Sequence, residues 1–187
     1  MHLVCRHRFF YIKGTMIFSG RENNMNIVIR SAGAADLGAI MRIERAGFTP
    51  AEAASEASMA ERIAKIPDTF LVAESAGQVV GFIVGPAISA RYLTDDLFDH
   101  LTVNRDADKC VAVLSIAVDP ATRGQGLGTA LLTAFAKQAQ KQHRELISLT
   151  CLERLVPYYA KHGYVNEGVA DSQHAGEVWY NMVLSLA

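Results

Sequence analysis

Three glycines stand at alternate positions in the sequence RGQGLGTALL, residues 123–132. They follow a continuous apolar run that is typical of a buried central strand, and they precede an apolar run with helical spacing. Because glycine weakens a helix and lets the backbone approach an oxyanion closely, Gly124, Gly126 and Gly128 indicate a turn between the strand and the helix. The first N–H groups of a helix can bind an anion. The turn is therefore either a phosphate site, with Arg123 beside it, or a glycine-rich turn that holds no ligand.

The spacing of these glycines argues against two common phosphate-binding motifs. A P-loop needs a lysine directly after its last glycine, and the residues after Gly124 are QGLGT, without a lysine. A dinucleotide-binding turn needs GxGxxG near the first strand and an acidic residue about 20 positions later. Here the third glycine comes too early and the turn lies past the middle of the chain. Neither a nucleoside triphosphate nor NAD is expected.

The composition is that of a single soluble domain. The 187 residues are 50% apolar and 20% charged, which is enough to bury a core. A net charge of −1 gives no general attraction to nucleic acid or to a membrane, and no apolar run approaches the roughly 20 residues of a membrane span. Cys5, Cys110 and Cys151 form neither a disulfide framework nor a zinc motif. We expect a reduced, cytoplasmic protein without a bound metal.

The predicted elements follow the order strand-helix-helix-strand-strand-strand-helix-strand-helix-strand-strand. This order predicts a mixed α/β sheet covered by helices. Pro50 is expected to open the second helix, which ends before Pro67. Residues 76–77 should form a tight hairpin turn, and residues 89–109 should form a long polar loop.

The N-terminal segment differs from the rest of the chain, because four basic residues precede its first acidic residue. Lys13 and Gly14 interrupt the apolar run that a signal peptide would need, and two later methionines each offer another start. We expect residues 1–25 to be an N-terminal extension outside the fold, and residues 26–187 to form one domain.

The context of the glycines carries a family resemblance. The pattern Arg123-x-x-Gly126-x-Gly128, preceded by LSIAVDPATRGQ, resembles the acetyl-CoA motif of the GNAT superfamily of N-acetyltransferases. The resemblance extends over residues 27–185, with the same order of elements. It implies an α/β GNAT fold, with a mixed, mostly antiparallel seven-stranded sheet, splayed central strands 4 and 5, and four flanking helices.

A second stretch narrows the resemblance. LTCLERLVPYYAKHGY, residues 149–164, is similar to the corresponding stretch of the arylalkylamine (serotonin) N-acetyltransferase branch, as is the hairpin that ends in VGFIVG. That branch carries two histidines on its central strand, which relay protons from the amine. Ala112 and Leu114 stand at the matching positions and cannot accept a proton. The proton route is therefore expected to differ from that of the branch.

The family motif implies a set of residues that bind acetyl-CoA. The strand before the glycine turn would pair with the pantetheine arm and direct an N–H group at the thioester oxygen. Its residues are Ile116, Ala117 and Val118. The turn would wrap around the diphosphate, in agreement with the anion site inferred from the helix start. Its residues are Arg123, Gly124, Gln125, Gly126, Leu127, Gly128 and Thr129.

The resemblance also implies direct attack of a neutral amine on the acetyl thioester. Tyr159 aligns with the tyrosine that protonates the leaving thiolate in this family, while its neighbour Tyr158 is expected to point to another face and to pack. The base that takes the proton of the ammonium stays open. Glu44, near the end of the first helix, is the first candidate, and a solvated surface position is its alternative. His100, His174 and chains of water are the others.

Two kinds of function are consistent with these patterns. The first is acetyl-CoA-dependent N-acetylation of a primary amine, of the arylalkylamine or polyamine type or at a peptide N-terminus, by a monomer or homodimer. The second is an acyl-CoA sensor without catalysis. The apolar residues that would favour an aryl amine are Phe48, Tyr92, Leu97 and Phe98. The acidic residues that would favour a polyamine are Asp95, Asp96 and Asp99.

Overall fold

The computed structural model describes residues 9–12, 15–19, 26–99, 101–172 and 174–186. The strands are β1 (Phe9–Ile12), β2 (Thr15–Ser19), β3 (Asn26–Ser31), β4 (Phe70–Ser75), β5 (Gln78–Val84), β6 (Ala87–Ile88), β7 (Cys110–Val113), β8 (Ser115–Val118), β9 (Leu146–Leu152), β10 (Val165–Val169) and β11 (Trp179–Ser185). The helices are α1 (Leu37–Gly47), α2 (Glu56–Lys65), α3 (Leu127–Lys141) and α4 (Val156–Ala160). The predicted order of elements is confirmed between β3 and β11.

The strands form two sheets that share the interrupted central strand. One sheet has the order β1-β2-β3-β4-β5-β8, and the other has the order β10-β11-β9-β7-β6. The strand pairs are antiparallel except for β7 and β9, which run parallel. The structure confirms the α/β fold with a mixed, mostly antiparallel arrangement and four helices.

The number of strands differs from the seven that were expected. The central strand is broken at Leu114 into β7 and β8, and the two-residue strand β6 pairs with β7. The hairpin of β1 and β2 lies within the segment expected to be an extension, and β2 pairs with β3 at the edge of the first sheet. The division of the chain after residue 25 stays a prediction.

The break at Leu114 opens a gap between two central strands. β7 pairs with β9 as far as Val113 and Leu149. At the next residue, the Leu114 N–H donates to the Val84 carbonyl at 2.9 Å, and β8 then pairs with β5. Because β9 continues to Leu152 while β8 has turned away, the edge of β8 that faces β9 is left open. This is the splay that the family resemblance predicted.

Two apolar clusters hold the helices on the sheets. Residues of α1 and α2 pack with β4 and β5 in one cluster, in which Ile40, Met59 and Phe82 are fully buried. Residues of α3 pack with β5, β7 and β9 in the other, around Leu131 and Phe135. The helical spacing of these apolar residues explains why the helices were predicted from the sequence.

Element boundaries follow local capping signals, with one correction. Pro50 does not open the second helix, because α2 begins at Glu56, where the Ser55 hydroxyl caps it by accepting from the Ser58 N–H at 3.1 Å. The capping side chain, rather than the preceding proline, sets the start. The hairpin turn at Ala76 and Gly77 is confirmed, with φ of 48° and 79°.

Candidate active site

The glycine turn presents free N–H groups at the start of α3. Gly124 and Gly126 have φ of 78° and 83°, a left-handed backbone that favours glycine. Gly126 is the N-cap of α3, and the Ala130 N–H donates to its carbonyl at 3.0 Å. The N–H groups before Ala130 have no partner inside the helix. Together with the positive end of the helix dipole, they form a site for an anion such as a diphosphate.

The Arg123 side chain is fixed beside this turn. Its Nε donates to the Val118 carbonyl at 3.2 Å, and its Nη2 donates to the Ala46 carbonyl at 3.3 Å. These bonds tie the ends of β8 and α1 together while the guanidinium stays exposed. Since both partners are neutral carbonyls, the positive charge remains available to a ligand in the adjoining cavity.

A cavity of about 510 Å³ extends from the glycine turn along the free edge of β8. Its lining includes Ile116, Ala117, Val118, Arg123, Gly124, Gly126, Leu127, Gly128 and Thr129. These are the residues that the motif assigned to acetyl-CoA, except for Gln125, which does not line the cavity. The left-handed glycines, the helix start and the open strand edge fit a long ligand with a diphosphate at one end.

A second cavity of about 370 Å³ lies on the other side of Tyr159. Residues that line both cavities are Phe48, Glu52, Ile116, Leu155, Tyr159 and Trp179. The two cavities therefore meet beside Ile116 and Tyr159, next to the gap between β8 and β9. This arrangement can hold two substrates whose reacting ends come together at the junction.

Tyr159 lies at the junction in an apolar and aromatic environment. Only 7% of its surface is exposed, and its ring makes edge contacts with Tyr158 at 5.2 Å and Tyr164 at 5.7 Å between centroids. Burial raises the pKa of Tyr159 far above that of a free phenol, and nearby Cys151 adds to this effect. The hydroxyl stays protonated at physiological pH and can act as a proton donor.

Tyr158 does not point away from the site as expected. It lines the same cavity as the glycine turn, and a Cβ on Gly128 would lie 2.5 Å from its hydroxyl oxygen. The Thr129 hydroxyl lies 2.9 Å from Nε2 of His162, whose Nδ1 is 2.8 Å from the Tyr158 carbonyl. Since α4 is short, two consecutive residues both reach the cavity.

Glu44 is buried beneath the second cavity rather than solvated. Its side chain accepts hydrogen bonds from the Ala54 N–H at 2.9 Å and from the Ser115 hydroxyl at 2.8 Å, and only 1% of the residue is exposed. Burial raises the pKa of Glu44, while both hydrogen bonds and the charge of Arg62 oppose the rise. A carboxylate with a raised pKa is suited to accept a proton near neutral pH.

Arg62 is a residue of this site that the sequence reasoning missed. It is 1% exposed, its Nη2 donates to the Phe98 carbonyl at 3.2 Å, and its Nε has no hydrogen-bond partner. Burial lowers the pKa of Arg62, and Glu44 is the strongest of the charges that oppose this change. The available signal was its position between Met59 and Ile63 on the apolar face of α2.

Some of the remaining residues that were predicted from the sequence line the second cavity, and others do not. His174, Phe98, Asp99 and Leu114 line it, whereas Ala112 is buried in the core. Residues 92 and 95–97 do not line it, and His100 lies outside the described residues.

Charge in the second cavity favours a cation. Glu44, Glu52 and Asp99 line it against one guanidinium, that of Arg62. With all of these groups ionised, the lining is net negative, and an ammonium would be attracted. Within the described parts of the chain, no group of acidic, histidine and cysteine side chains is arranged to hold a metal ion. No described helix is long and apolar enough to cross a membrane.

The fold, with its splayed central strands, is that of the acyltransferases that use a CoA thioester. Residues 37–164 match the model of the acetyltransferase (GNAT) family, which is more than half of the chain. The chain belongs to this family, is an acetyltransferase, and has acetyl-CoA as its co-substrate. No curated protein matches the sequence significantly.

Solved structures share the fold over most of the chain. Ard1 from Thermoplasma volcanium is 24% identical with a TM-score of 0.70, and the match covers 86% of this chain and 98% of Ard1. The GNAT-like decarboxylase GphF in complex with isobutyryl-CoA is 19% identical with a TM-score of 0.72, covering 85% and 99%. The ribosomal-protein-S18-alanine N-acetyltransferase from Escherichia coli is 19% identical with a TM-score of 0.65, covering 86% and 94%.

Proposed function

We propose that this protein transfers the acetyl group of acetyl-CoA to the primary amine of a small molecule, by direct attack in a ternary complex. The observation that carries the proposal is the meeting of two cavities beside Tyr159, with the buried carboxyl of Glu44 under the second cavity. One cavity has the features of a CoA site, and the other has the charge of an amine site. We also propose that the protein belongs to the arylalkylamine (serotonin) N-acetyltransferase branch of the family.

Acetyl-CoA would lie along β8 with its diphosphate at the start of α3. The backbone on the free edge of β8, at Ile116, Ala117 and Val118, would pair with the pantetheine arm. The N–H groups at residues 124–129 and the charge of Arg123 would hold the diphosphate. This placement would bring the acetyl group to the junction of the cavities, where Ile116 and Tyr159 line both of them.

The acceptor is an arylalkylamine rather than a polyamine in this proposal. Phe48, Phe98 and Trp179 give the second cavity aromatic walls. Asp95 and Asp96 do not line it, and the Asp95 carboxylate accepts a hydrogen bond from Ser172 at 2.6 Å. Two of the three acidic residues that would favour a polyamine therefore lie outside the cavity, while its walls are aromatic.

The proton transfers would proceed through two side chains. Glu44 takes a proton from the ammonium, either directly or through a water molecule, and the neutral nitrogen attacks the thioester carbon. The nitrogen of the resulting adduct gives its second proton to water, the carbon–sulfur bond breaks as the amide forms, and the sulfur leaves as a thiolate. Glu44 then releases its proton to solvent. The Tyr159 hydroxyl gives its proton to this thiolate and regains one from solvent. The products are the N-acetylated amine and CoA.

Thiol release with a panel of amines tests the proposal. The wild-type chain should release CoA with phenethylamine and tryptamine, and much more slowly with spermidine. Tyr159→Phe should reduce this release, and Val165→Ala, an exposed change on β10, should not. An acyl-CoA sensor would instead bind acetyl-CoA and turn over none of the amines, which would overturn the proposal.

A further inference from the structure

Two segments that are distant in the sequence meet above the second cavity. The Phe98 ring stacks on His174, with centroids 4.6 Å apart and an angle of 11° between the planes. The Trp179 Nε1–H donates to the His174 carbonyl at 2.9 Å. We call Phe98, Asp99, His174 and Trp179 the roof, because all four line this cavity.

Polar contacts fix the roof on the side of β10. The Arg91 guanidinium makes two hydrogen bonds to the Glu167 carboxylate, at 2.8 and 2.6 Å, and the Tyr92 hydroxyl makes a third at 2.8 Å. Ser172, in the loop before β11, donates to Asp95 at 2.6 Å. The segment before Phe98 is therefore held against β10 and the loop that precedes β11.

The same segment is fixed to α2 on its other side. The Ser58 hydroxyl and the Arg62 Nη2 both donate to the Phe98 carbonyl at 3.2 Å. The Lys65 Nζ donates to the Leu101 carbonyl at 2.7 Å. With anchors on α2 and on β10, the roof bridges the cavity instead of hanging over it as a free loop.

We propose that this roof determines acceptor specificity: it admits a small amine that fits inside the second cavity, and it excludes the N-terminus of a polypeptide. This inference rests on the proposed N-acetyltransferase function. A cavity of about 370 Å³ is in the range of roughly 300–1,000 Å³ that encloses a small ligand. In this proposal the main chain of a bound peptide leaves the cavity past the stacked Phe98 and His174, which separates the rings and leaves buried peptide groups unpaired.

Matched acceptors test this inference with the full chain. Phenethylamine and a tetrapeptide amide with N-terminal phenylalanine present the same aromatic ring near a primary amine. For the wild-type protein, kcat/KM should be about 100-fold higher for phenethylamine. Phe98→Ala should lower the ratio of kcat/KM for phenethylamine to kcat/KM for the peptide by about tenfold, because it removes one ring of the stack. Val165→Ala should leave the ratio unchanged.

Glu167→Gln provides a second variant, because Glu167 does not line the cavity and lies on the outer strand β10. It weakens the anchor to Arg91 and Tyr92 and should narrow the ratio in the same direction, by less than Phe98→Ala. Equal kcat/KM for both acceptors in the wild type, or an unchanged ratio in folded Phe98→Ala and Glu167→Gln, would overturn the role of the roof. Failure of the proposed function is distinct: acetyl-CoA would bind, and neither acceptor would release thiol.

Discussion

The Ser115 hydroxyl donates a hydrogen bond of 2.8 Å to the Glu44 carboxylate, across 71 positions of sequence. Ser115 is the first residue of β8, and Glu44 lies near the end of α1. The bond therefore attaches the buried carboxylate to the place where β8 parts from β9. The same break in the central strand that opens the cavity along β8 also positions the candidate base.

Glu44→Gln should lower kcat/KM for the amine by about 100-fold at neutral pH, since an amide cannot accept the ammonium proton. The substituted side chain can still accept the hydrogen bond from the Ala54 N–H, so the fold and the Kd of acetyl-CoA should change little. Steady-state kinetics and calorimetric titration measure the two quantities. Glu56→Gln, at an exposed position of α2, is the control. A fully active Glu44→Gln would mean that another group takes the proton.

Arg62→Met should move the acid limb of the kcat/KM profile to higher pH. Glu44 acts as a base only when it is ionised, so activity falls as the pH drops through its pKa. Burial raises this pKa, and the charge of Arg62 opposes the rise. Loss of the charge removes the opposition, whereas Arg62→Lys retains it. An acid limb at the same pH in Arg62→Met and the wild type would show that Glu44 does not control the profile.

Tyr159→Phe should lower kcat by about tenfold or more, with the Kd of acetyl-CoA unchanged, because the proton donor to the thiolate is lost. Tyr164→Phe is a matched control from the same aromatic cluster. The Tyr164 hydroxyl is buried and has no hydrogen-bond partner among the described residues, so its removal should leave kcat intact and raise the free energy of unfolding by about 1 kcal/mol. Equal kcat for Tyr159→Phe and the wild type would rule out Tyr159 as the donor.

Gly128→Ala should weaken acetyl-CoA binding by about tenfold through Tyr158. The added Cβ would lie 2.5 Å from the Tyr158 hydroxyl oxygen but 3.7 Å from its ring carbon, so the ring would have to shift within the cavity. In a Tyr158→Phe background, the conflicting oxygen is absent and the effect of Gly128→Ala should shrink. Titration of all four proteins with acetyl-CoA gives the coupling. If the two substitutions change the binding free energy of acetyl-CoA in a strictly additive way, the loss of affinity in Gly128→Ala does not come from the Tyr158 hydroxyl.

Gly85→Ala should destabilise the protein by about 3 kcal/mol. A Cβ at Gly85 would lie 1.6 Å from the Ala112 carbonyl oxygen, so the end of β5 could not approach β7. Gly38→Ala is the control, because Gly38 lies in α1 with no atom within 4 Å of an added Cβ, and it should stabilise by about 0.5–1 kcal/mol. Urea unfolding at fixed pH compares the two. Similar stability for both variants would mean that the close approach at Gly85 can relax.

The features that were predicted correctly depend on residues close together in the sequence. The alternating glycines predicted a turn between a strand and a helix, and the structure has this turn, with φ of 78° at Gly124 and 83° at Gly126. The assignment of ten residues to acetyl-CoA stays a prediction, and nine of them line one cavity because a strand and the turn that follows it stay adjacent in any fold. The second helix was placed too early, since Pro50 gave a stronger local signal than the capping hydroxyl of Ser55.

The residues around the second cavity could not be predicted from their neighbours in the sequence in the same way. Arg62 appears in the sequence as one more charged residue of an amphipathic helix, and Ser115 as a small residue of an apolar strand. Both were missed because their importance comes from Glu44, which the fold brings beside them. His174 was one of the alternative candidates for the base. Only the structure shows that its ring stacks on Phe98 beside the second cavity.

The sequence by itself determined the family, the order of elements and the glycine turn before α3, because periodicity, capping and glycine conformation act over a few residues. The tertiary structure alone decided the burial and partners of Glu44, the approach of Tyr158 to Gly128, and the roof above the second cavity. Most of these depend on contacts between residues at least 30 positions apart, such as Ser115 with Glu44 or Phe98 with His174, and their energies come from desolvation and packing. Desolvation and packing energies arise only after the chain has folded and brought these groups together.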